Sequence, residues 1–340
     1  ALDLRYFNPG AVIARPGRRS VLSDPLRDPL AAFETVTNSE ISFSDKLRTL
    51  ALRRDLAGRP FESIFSRPDS SIRAYLREWG FSERYLSNFI APFYGGITLD
   101  RSLGTSKRVF EYTFKALSNG RTAVPADGMG AITQQLADRA EAAGAEIVTG
   151  KAVTELNRKR RHAVVVTDDD RRAVDRVVVA TQPTVAARLT GNDEIPTEGI
   201  GCVTQYYRFD GPPLETGKRL LLNAGDTDPN TIVPLSEVAP EYATGDDHVF
   251  ETPSEQLAAK TCETLESWYP ERNFESLSRL ETDRIPFAQF AQPPGTHDAL
   301  PDVRDGGRRT YLAGEYTEWS SIQGAMESGR KAAGAVLEDL

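Results

Sequence analysis

The opening residues alternate: in Leu2-Asp-Leu-Arg-Tyr-Phe every second side chain is apolar, the period of a strand with one buried face. Asn8-Pro-Gly supplies a turn, Ala11-Val-Ile-Ala a returning strand and Pro16-Gly a second turn, which predicts a hairpin at the start of a sheet. The period then lengthens. From Asp28 to Leu56, Leu30, Phe33, Val36, Leu47, Leu50 and Leu52 recur at helical spacing, with Ser44-Asp-Lys as a cap for the second of two helices. A third helix is expected after Asp69-Ser-Ser, with Ile72, Tyr75, Leu76 and Trp79 on one stripe and Gly80 as its stop, and a fourth after Ser82. Ala91-Pro-Phe-Tyr-Gly-Gly interrupts the pattern, which resumes over Val109 to Leu117. The stretch Ala131 to Ala143 predicts another helix, with Ile132, Leu136, Ala140 and Ala143 inward and Gly144 at its end.

Beyond Gly144 the pattern turns to strands. Glu146 to Leu156, Ala163 to Thr167 and Ala173 to Thr181 are rich in β-branched residues, and the basic run Asn157 to His162 and the acidic turn at Asp168 separate them. A basic run between two strands reads as a solvated hairpin tip. Val203 to Phe209, Arg219 to Leu222, Thr231 to Leu235 and His248 to Phe250 predict antiparallel strands; a capped helix runs from Ser254 through Trp268, and another strand from Leu277 to Ile285. The tail closes with a short apolar strand, Tyr311 to Ala313, then Gly314, the acid Glu315, a polar loop, and a helix with small residues at Gly324, Ala325, Ser328, Ala332 and Ala333. The mixture is α/β where strands and helices alternate and α+β overall.

At 340 residues the chain exceeds one average domain, so two domains or one interleaved pair is expected. Its net charge of −8 argues against nucleic acid as a partner. Cys202 and Cys262 make no disulfide framework, and His162, His248 and His297 are too scattered for a metal motif, so no metal site is expected and a reducing cytoplasm is the expected setting. No long apolar run and no basic-then-apolar leader occurs, so neither a spanning helix nor a secretory peptide is expected.

The tail carries the candidate chemistry. Small residues in the first turns of a helix let backbone N–H groups approach a ligand, and the positive dipole end favours an electron-rich one. An acid at the strand exit accepts hydrogen bonds from hydroxyls. Leu312-Ala-Gly-Glu followed by Ser321-Ile-Gln-Gly-Ala-Met-Glu-Ser-Gly-Arg resembles the C-terminal flavin-binding motif of the FAD-dependent amine oxidases, phytoene desaturases and protoporphyrinogen oxidases. Gly120 to Ile132 and Asp175 to Pro183 resemble two further crossings of that superfamily's flavin domain, and Ala91 to Leu99 its cap region.

The resemblance implies an FAD-binding domain interleaved with a substrate domain: residues 1–122 as cap, 123–190 as part of the FAD domain, 191–300 as substrate-domain sheet and 301–340 as the last FAD-domain segment. It implies FAD as cofactor, held by Gly314, Glu315, Ser321, Ile322, Gly324 and Ala325, with Val153 at the adenine and with Ala180 and Thr181 as further contacts where their strand runs beside the cofactor. Tyr94, Phe287, Tyr316 and Trp319 become the expected substrate pocket. One segment is missing. The superfamily opens with a strand, Gly-x-Gly-x-x-Gly and a helix; here the nearest string, Gly128-Met-Gly130-Ala-Ile-Thr, lacks the third glycine, so the chain reads as N-terminally truncated. The activity implied is dehydrogenation, desaturation or oxidation of a small apolar or amine substrate, with no general base identified. Two other readings stay open: a flavin-free prenyl-lipid or protein-binding relative, and a partial chain completed by a second polypeptide; a homo-oligomer is compatible with each reading. Peripheral membrane contact is compatible with all three.

Overall fold

The fold begins with a glycine that the sequence pattern treats as an ordinary turn. Gly10 has φ of 87°, and a Cβ there would stand 2.0 Å from the Leu22 carbonyl oxygen. Only glycine permits that bend. It carries the chain from β1 (Leu4–Tyr6) into a hairpin of β2 (Ala11–Arg15) and β3 (Arg18–Leu22), so the expected hairpin is shifted by one strand and β1 does not pair with β2. The computed structural model describes residues 1–24, 27–28, 35, 37–225, 228–239 and 254–340. The helix through Leu30, Phe33 and Val36 and the strand at His248 lie outside them. Two compact units emerge, Ala1–Gly144 with Cys202–Ile285, and Ala145–Gly201 with Pro286–Leu340.

In the first unit, α1 (Phe43–Ala57) is capped by Ser42 and not by Ser44, its hydroxyl accepting from Asp45 N at 3.1 Å. Asp45 is fully buried and also accepts from Ser82 N at 3.0 Å and Ser82 Oγ at 2.6 Å, which locks the start of α1 to the start of the helical turn at Glu83–Tyr85. The helix α2 (Ile72–Glu78) starts at Ser71 and stops before Gly80, as expected. The expected break at Pro92 does not occur. A single turn at Glu83–Tyr85 widens into a π turn over Leu86–Ile90 and continues as α3 (Ala91–Thr98). A proline ring presses on the carbonyl four residues earlier in an α-helix; the wider turn just ahead of Pro92 relieves that clash. With α4 (Lys107–Asn119), these helices bury Leu52, Leu56, Ile72, Leu76, Tyr85 and Phe110 in one core. The strand β4 (Ala123–Pro125) then pairs antiparallel with β1. The helix α5 (Gly130–Ala142) ends at Gly144 as expected, but none of its residues is buried and Leu136 is 44% exposed. Its apolar stripe therefore has no covering layer among the described residues.

The strand expected at Glu146 begins only at Val153, leaving Ile147 and Val148 exposed in irregular chain. An apolar run makes a strand only when a neighbour accepts its hydrogen bonds. The strands β5 (Val153–Arg158), β6 (Ala163–Thr167) and β7 (Arg171–Val174) form an antiparallel meander, and Asn157–His162 is its hairpin tip. After β8 (Val177–Val179) comes α6 (Pro183–Thr190), whose last carbonyls accept from Arg158 Nη2 at 2.8 and 3.3 Å.

The strands β9 (Gly199–Phe209), β10 (Leu221–Asn223) and β11 (Thr231–Ile232) follow, then α7 (Ser254–Trp268) and β12 (Leu277–Phe290), which pairs with β9. One mixed sheet has the order β11-β10-β2-β3, and β10 runs parallel to β2, so this region is not purely antiparallel. A connection of some two hundred residues between the two strands permits either direction, where a tight hairpin permits one. Trp268, Tyr269 and Phe274 pack on Val12, Ala14 and Leu221 of that sheet.

The second unit closes with β13 (Thr310–Leu312) and α8 (Ile322–Glu338). The strand β13 lies parallel to β8, with Thr310, Tyr311 and Leu312 opposite Val177, Val178 and Val179. Both its faces are covered: Leu312 joins Val179, Ala186, Leu189 and Phe290, while Tyr311 and Ala313 meet Ala332 and Ala335 of α8. Two covered faces are the condition for a parallel strand. No helix among the described residues is long and apolar enough to cross a membrane.

Candidate functional site

Because β8 and β13 run parallel, their carboxyl ends leave the sheet together, the position where open α/β sheets place ligands. At the end of β8, Ala180 and Thr181 are exposed. At the end of β13 the chain passes through extended Gly314 into a short 3-10 turn, Glu315–Thr317. The two exits are tied by Ala313 N donating to Val179 O at 2.9 Å. Gly314 N donates to Ser328 Oγ at 2.8 Å, and Ser328 is fully buried with Thr317 Oγ1 at 2.6 Å, which fixes the strand exit against α8.

The Glu315 carboxyl is half-buried. Its Oε2 accepts from Ser320 Oγ at 2.5 Å, and among the described residues no other side chain or amide bonds it. Burial raises its pKa above the ordinary carboxylate value, and the Ser320 hydrogen bond offsets part of that rise. Ser320 is itself placed by Gln292, whose Oε1 accepts from Ser320 N at 2.9 Å.

The start of α8 is built for close approach. Ser321 caps it by accepting from Gly324 N at 2.8 Å, and Ala325 N donates to Ser321 O at 3.0 Å. A Cβ on Gly324 would stand 2.1 Å from the Trp319 carbonyl oxygen, so glycine lets the loop fold back onto the first turn. The amides of Ile322 and Gln323 remain as donors on exposed residues, and no acid sits in the first turn to neutralise the positive helix end.

The expected cofactor residues Gly314, Glu315, Ser321, Ile322, Gly324 and Ala325 thus share one loop and helix start, with Ala180 and Thr181 at the paired strand exit. Val153 lies apart, on β5 in the apolar cluster beneath the sheet with Phe287 and Tyr316. Three of the expected pocket residues prove to be core. Tyr316 is 1% exposed, its hydroxyl donates to Val179 O at 3.0 Å and Ala313 O at 3.2 Å, and burial pushes the phenol up to about 12. It joins the two strands, because a buried hydroxyl must find acceptors, and the carbonyls at the strand ends, each with two lone pairs, supply them. Trp319 is buried below the helix start. Tyr94 belongs to the other unit and is packed against Phe110, ring centroids 4.7 Å apart. Phe287 is half-buried beside Gly199, where a Cβ would come within 2.4 Å of its ring. Ser320, Gln292 and Ser328 escaped the sequence reading. Only Ser328 left a trace there, as a small residue of the final helix.

The profile of the flavin-containing amine oxidoreductases matches residues 2–337, and the chain belongs to that family of oxidoreductases. Solved structures share its fold at low identity. A protein from Exiguobacterium sp. 255-15 assigned as a protoporphyrinogen oxidase is 15% identical, with 99% of this chain and 82% of that one covered and a TM-score of 0.69. A double mutant of putrescine oxidase is 16% identical over 99% of this chain and 83% of its own, TM-score 0.64. Cyclohexylamine oxidase from Brevibacterium oxydans IH-35A is 16% identical over 99% and 83%, TM-score 0.57. No curated protein sequence matches the chain. The family uses a flavin, and the residues present fit the polar arm of one: a half-buried carboxylate to accept from hydroxyls, and two open amides at a positive helix end to donate to carbonyl oxygens.

Proposed function

We propose that the chain is an FAD-dependent oxidoreductase that dehydrogenates or oxidises a small apolar or amine substrate, with the flavin seated at the joint exit of β8 and β13. Bound there, the flavin supplies the hydride-accepting ring; the protein supplies position and hydrogen bonds. Glu315 would hold the ribityl hydroxyls through its uncommitted Oε1, with Ser320 fixing the other oxygen. The amides of Ile322 and Gln323 would face the carbonyl edge of the ring system, and Ala180 and Thr181, at the exit of β8, would border it. Phosphate binding is not assigned to these residues, since the sequence contains no strand followed by Gly-x-Gly-x-x-Gly.

The observation that carries this reading is Glu315: a carboxylate drawn out of water at a strand exit, with one oxygen held and the other open, is costly unless a hydrogen-bonding partner arrives. Absorbance and fluorescence titration of the purified protein with FAD tests it. Binding is expected to perturb the flavin band near about 450 nm and to be weakened by Glu315→Ala. A titration in which free-flavin fluorescence is unchanged by excess protein overturns the proposal.

A further inference from the structure

Just past the end of β12 the chain reverses. Thr296 N donates to Pro293 O at 3.2 Å, Pro294 stands second in the turn, and Gly295 stands third with φ of 88° and ψ of −15°. A type II turn needs those two residues, a ring that presets φ and then a glycine that accepts φ above zero. One helical turn follows, Thr296–Ala299, and it brings His297 back beside the residue that precedes the reversal: His297 Nε2 lies 3.2 Å from Gln292 Oε1.

The chemistry of the groups fixes the direction of this bond. Ser320 N can only donate, so the Gln292 atom 2.9 Å from it is the accepting oxygen of the side-chain amide. That oxygen cannot donate to His297 either, so the hydrogen between the two side chains sits on His297 Nε2. The ring is the Nε2–H tautomer or the imidazolium, and the Nδ1–H tautomer is excluded. Because Gln292 Oε1 accepts from both sides, the connection passes no proton; it holds groups in place.

What it holds is the flavin side of the loop. Gln292 is 4% exposed and Ser320 8%, and Ser320 Oγ donates to Glu315 Oε2 at 2.5 Å. The three hydrogen bonds lead from His297 through Gln292 and Ser320 to Glu315, inside one compact unit. Ser320 lies between the turn Glu315–Thr317 and the start of α8, and a loop serine keeps its hydroxyl on a carboxylate only while its backbone is held. Gln292 supplies that hold, and His297 fixes which way the Gln292 amide points. We infer that His297 is a positioning residue for Glu315, acting through Gln292 and Ser320 to keep Oε2 occupied and Oε1 available to a ligand hydroxyl. A carboxylate fixed before its partner arrives loses less freedom on binding. This role presupposes that Glu315 holds the flavin, as proposed for the site.

Fluorescence titration with FAD in a mutant cycle tests it. His297→Leu removes the donor from a half-buried position and is expected to weaken FAD binding by about three- to tenfold, the range of one hydrogen bond. His297→Gln places an amide nitrogen where Nε2 stood and is expected to restore binding to within about twofold. In a Glu315→Ala background, His297→Leu is expected to change FAD binding by less than about twofold, since the residue it serves is gone. Nitrogen NMR of labelled histidines in the flavin-free protein, with His297 assigned as the signal lost in His297→Gln, is expected to show hydrogen on Nε2. Parent-like binding by His297→Leu, where Glu315→Ala does weaken binding, overturns this role and leaves the flavin site standing. An equal loss in both backgrounds, a failure of His297→Gln to rescue, or an Nδ1–H ring overturns it as well. Parent protein that leaves free-flavin fluorescence unchanged overturns the flavin reading itself, and this role falls with it.

Discussion

Ser320 Oγ donates to Glu315 Oε2 at 2.5 Å, and among the described residues that hydroxyl is the one partner of a half-buried carboxylate at the exit of β13. A single neutral donor compensates a buried charge poorly, which is why burial dominates and the Glu315 pKa lies above the ordinary value of 4.5.

The sign of the consequence follows by linkage. The folded state holds the Glu315 proton more tightly than the unfolded state, so this group adds stability as pH falls through its raised pKa and withdraws it as pH rises. Glu315→Gln is therefore expected to raise the melting temperature of the flavin-free protein at neutral pH while weakening flavin retention by about 1.5–3 kcal/mol, roughly ten- to a hundredfold. Melting curves across pH and flavin titrations measure the two effects separately. Loss of both stability and flavin binding would mean that Glu315 is structural.

Asp45 behaves in the opposite sense. Burial alone would raise its carboxyl, but hydrogen bonds from Ser42 and Ser82 outweigh burial and hold it below the ordinary 3.8. Its stabilisation is present above that value and is lost as pH falls through the lowered pKa. Asp45→Asn should destabilise the protein at neutral pH by about 1–3 kcal/mol and make acid unfolding less steep at low pH. An acid unfolding profile identical to that of the parent protein would contradict this.

Tyr316→Phe removes the donor shared by Val179 O and Ala313 O. Two buried carbonyls each lose a partner, and a loss of about 1–3 kcal/mol is expected in denaturant unfolding, with little change in flavin affinity because the ring stays in the core. A large fall in flavin affinity at unchanged stability would place Tyr316 in the site after all.

Gly324→Ala puts a methyl group where the Trp319 carbonyl stands, 2.1 Å away. The loop must retreat from the first turn of α8. Cost is expected at about 1–3 kcal/mol, with flavin retention reduced because the amides of Ile322 and Gln323 shift as well. Wild-type melting and flavin affinity together would show that the loop yields freely.

Local pattern made much of the molecule legible. Ser71 and Gly80 bound α2 where the helical stripe ends, Asp168 turns β6 into β7, and the strand, Gly-acid and Gly-Ala helix of the tail stand in the expected order. These features depend on neighbours within a few residues, and so does the family resemblance they carry. Pro92 shows the limit: a proline reads as a break, yet a π turn ahead of it keeps the helix continuous, an adjustment that side-chain identity alone does not announce.

Pairing and burial were settled by residues far apart. That β1 joins β4, that β10 runs parallel to β2, and that β8 meets β13 are choices among partners more than a hundred residues away, to which a strand's own period is indifferent. The same holds for chemistry. The order of residues in the tail, through the family resemblance it carries, pointed to flavin and to Glu315 and the start of α8; the sequence alone determined that the acid follows a strand exit and precedes a Gly-Ala helix start. Only the tertiary structure brought Gln292 to Ser320 and Ser320 to Glu315, and drew Tyr316, Trp319 and Tyr94 into cores, because whether an aromatic ring faces a ligand or a neighbour depends on which surfaces the folded chain brings against it.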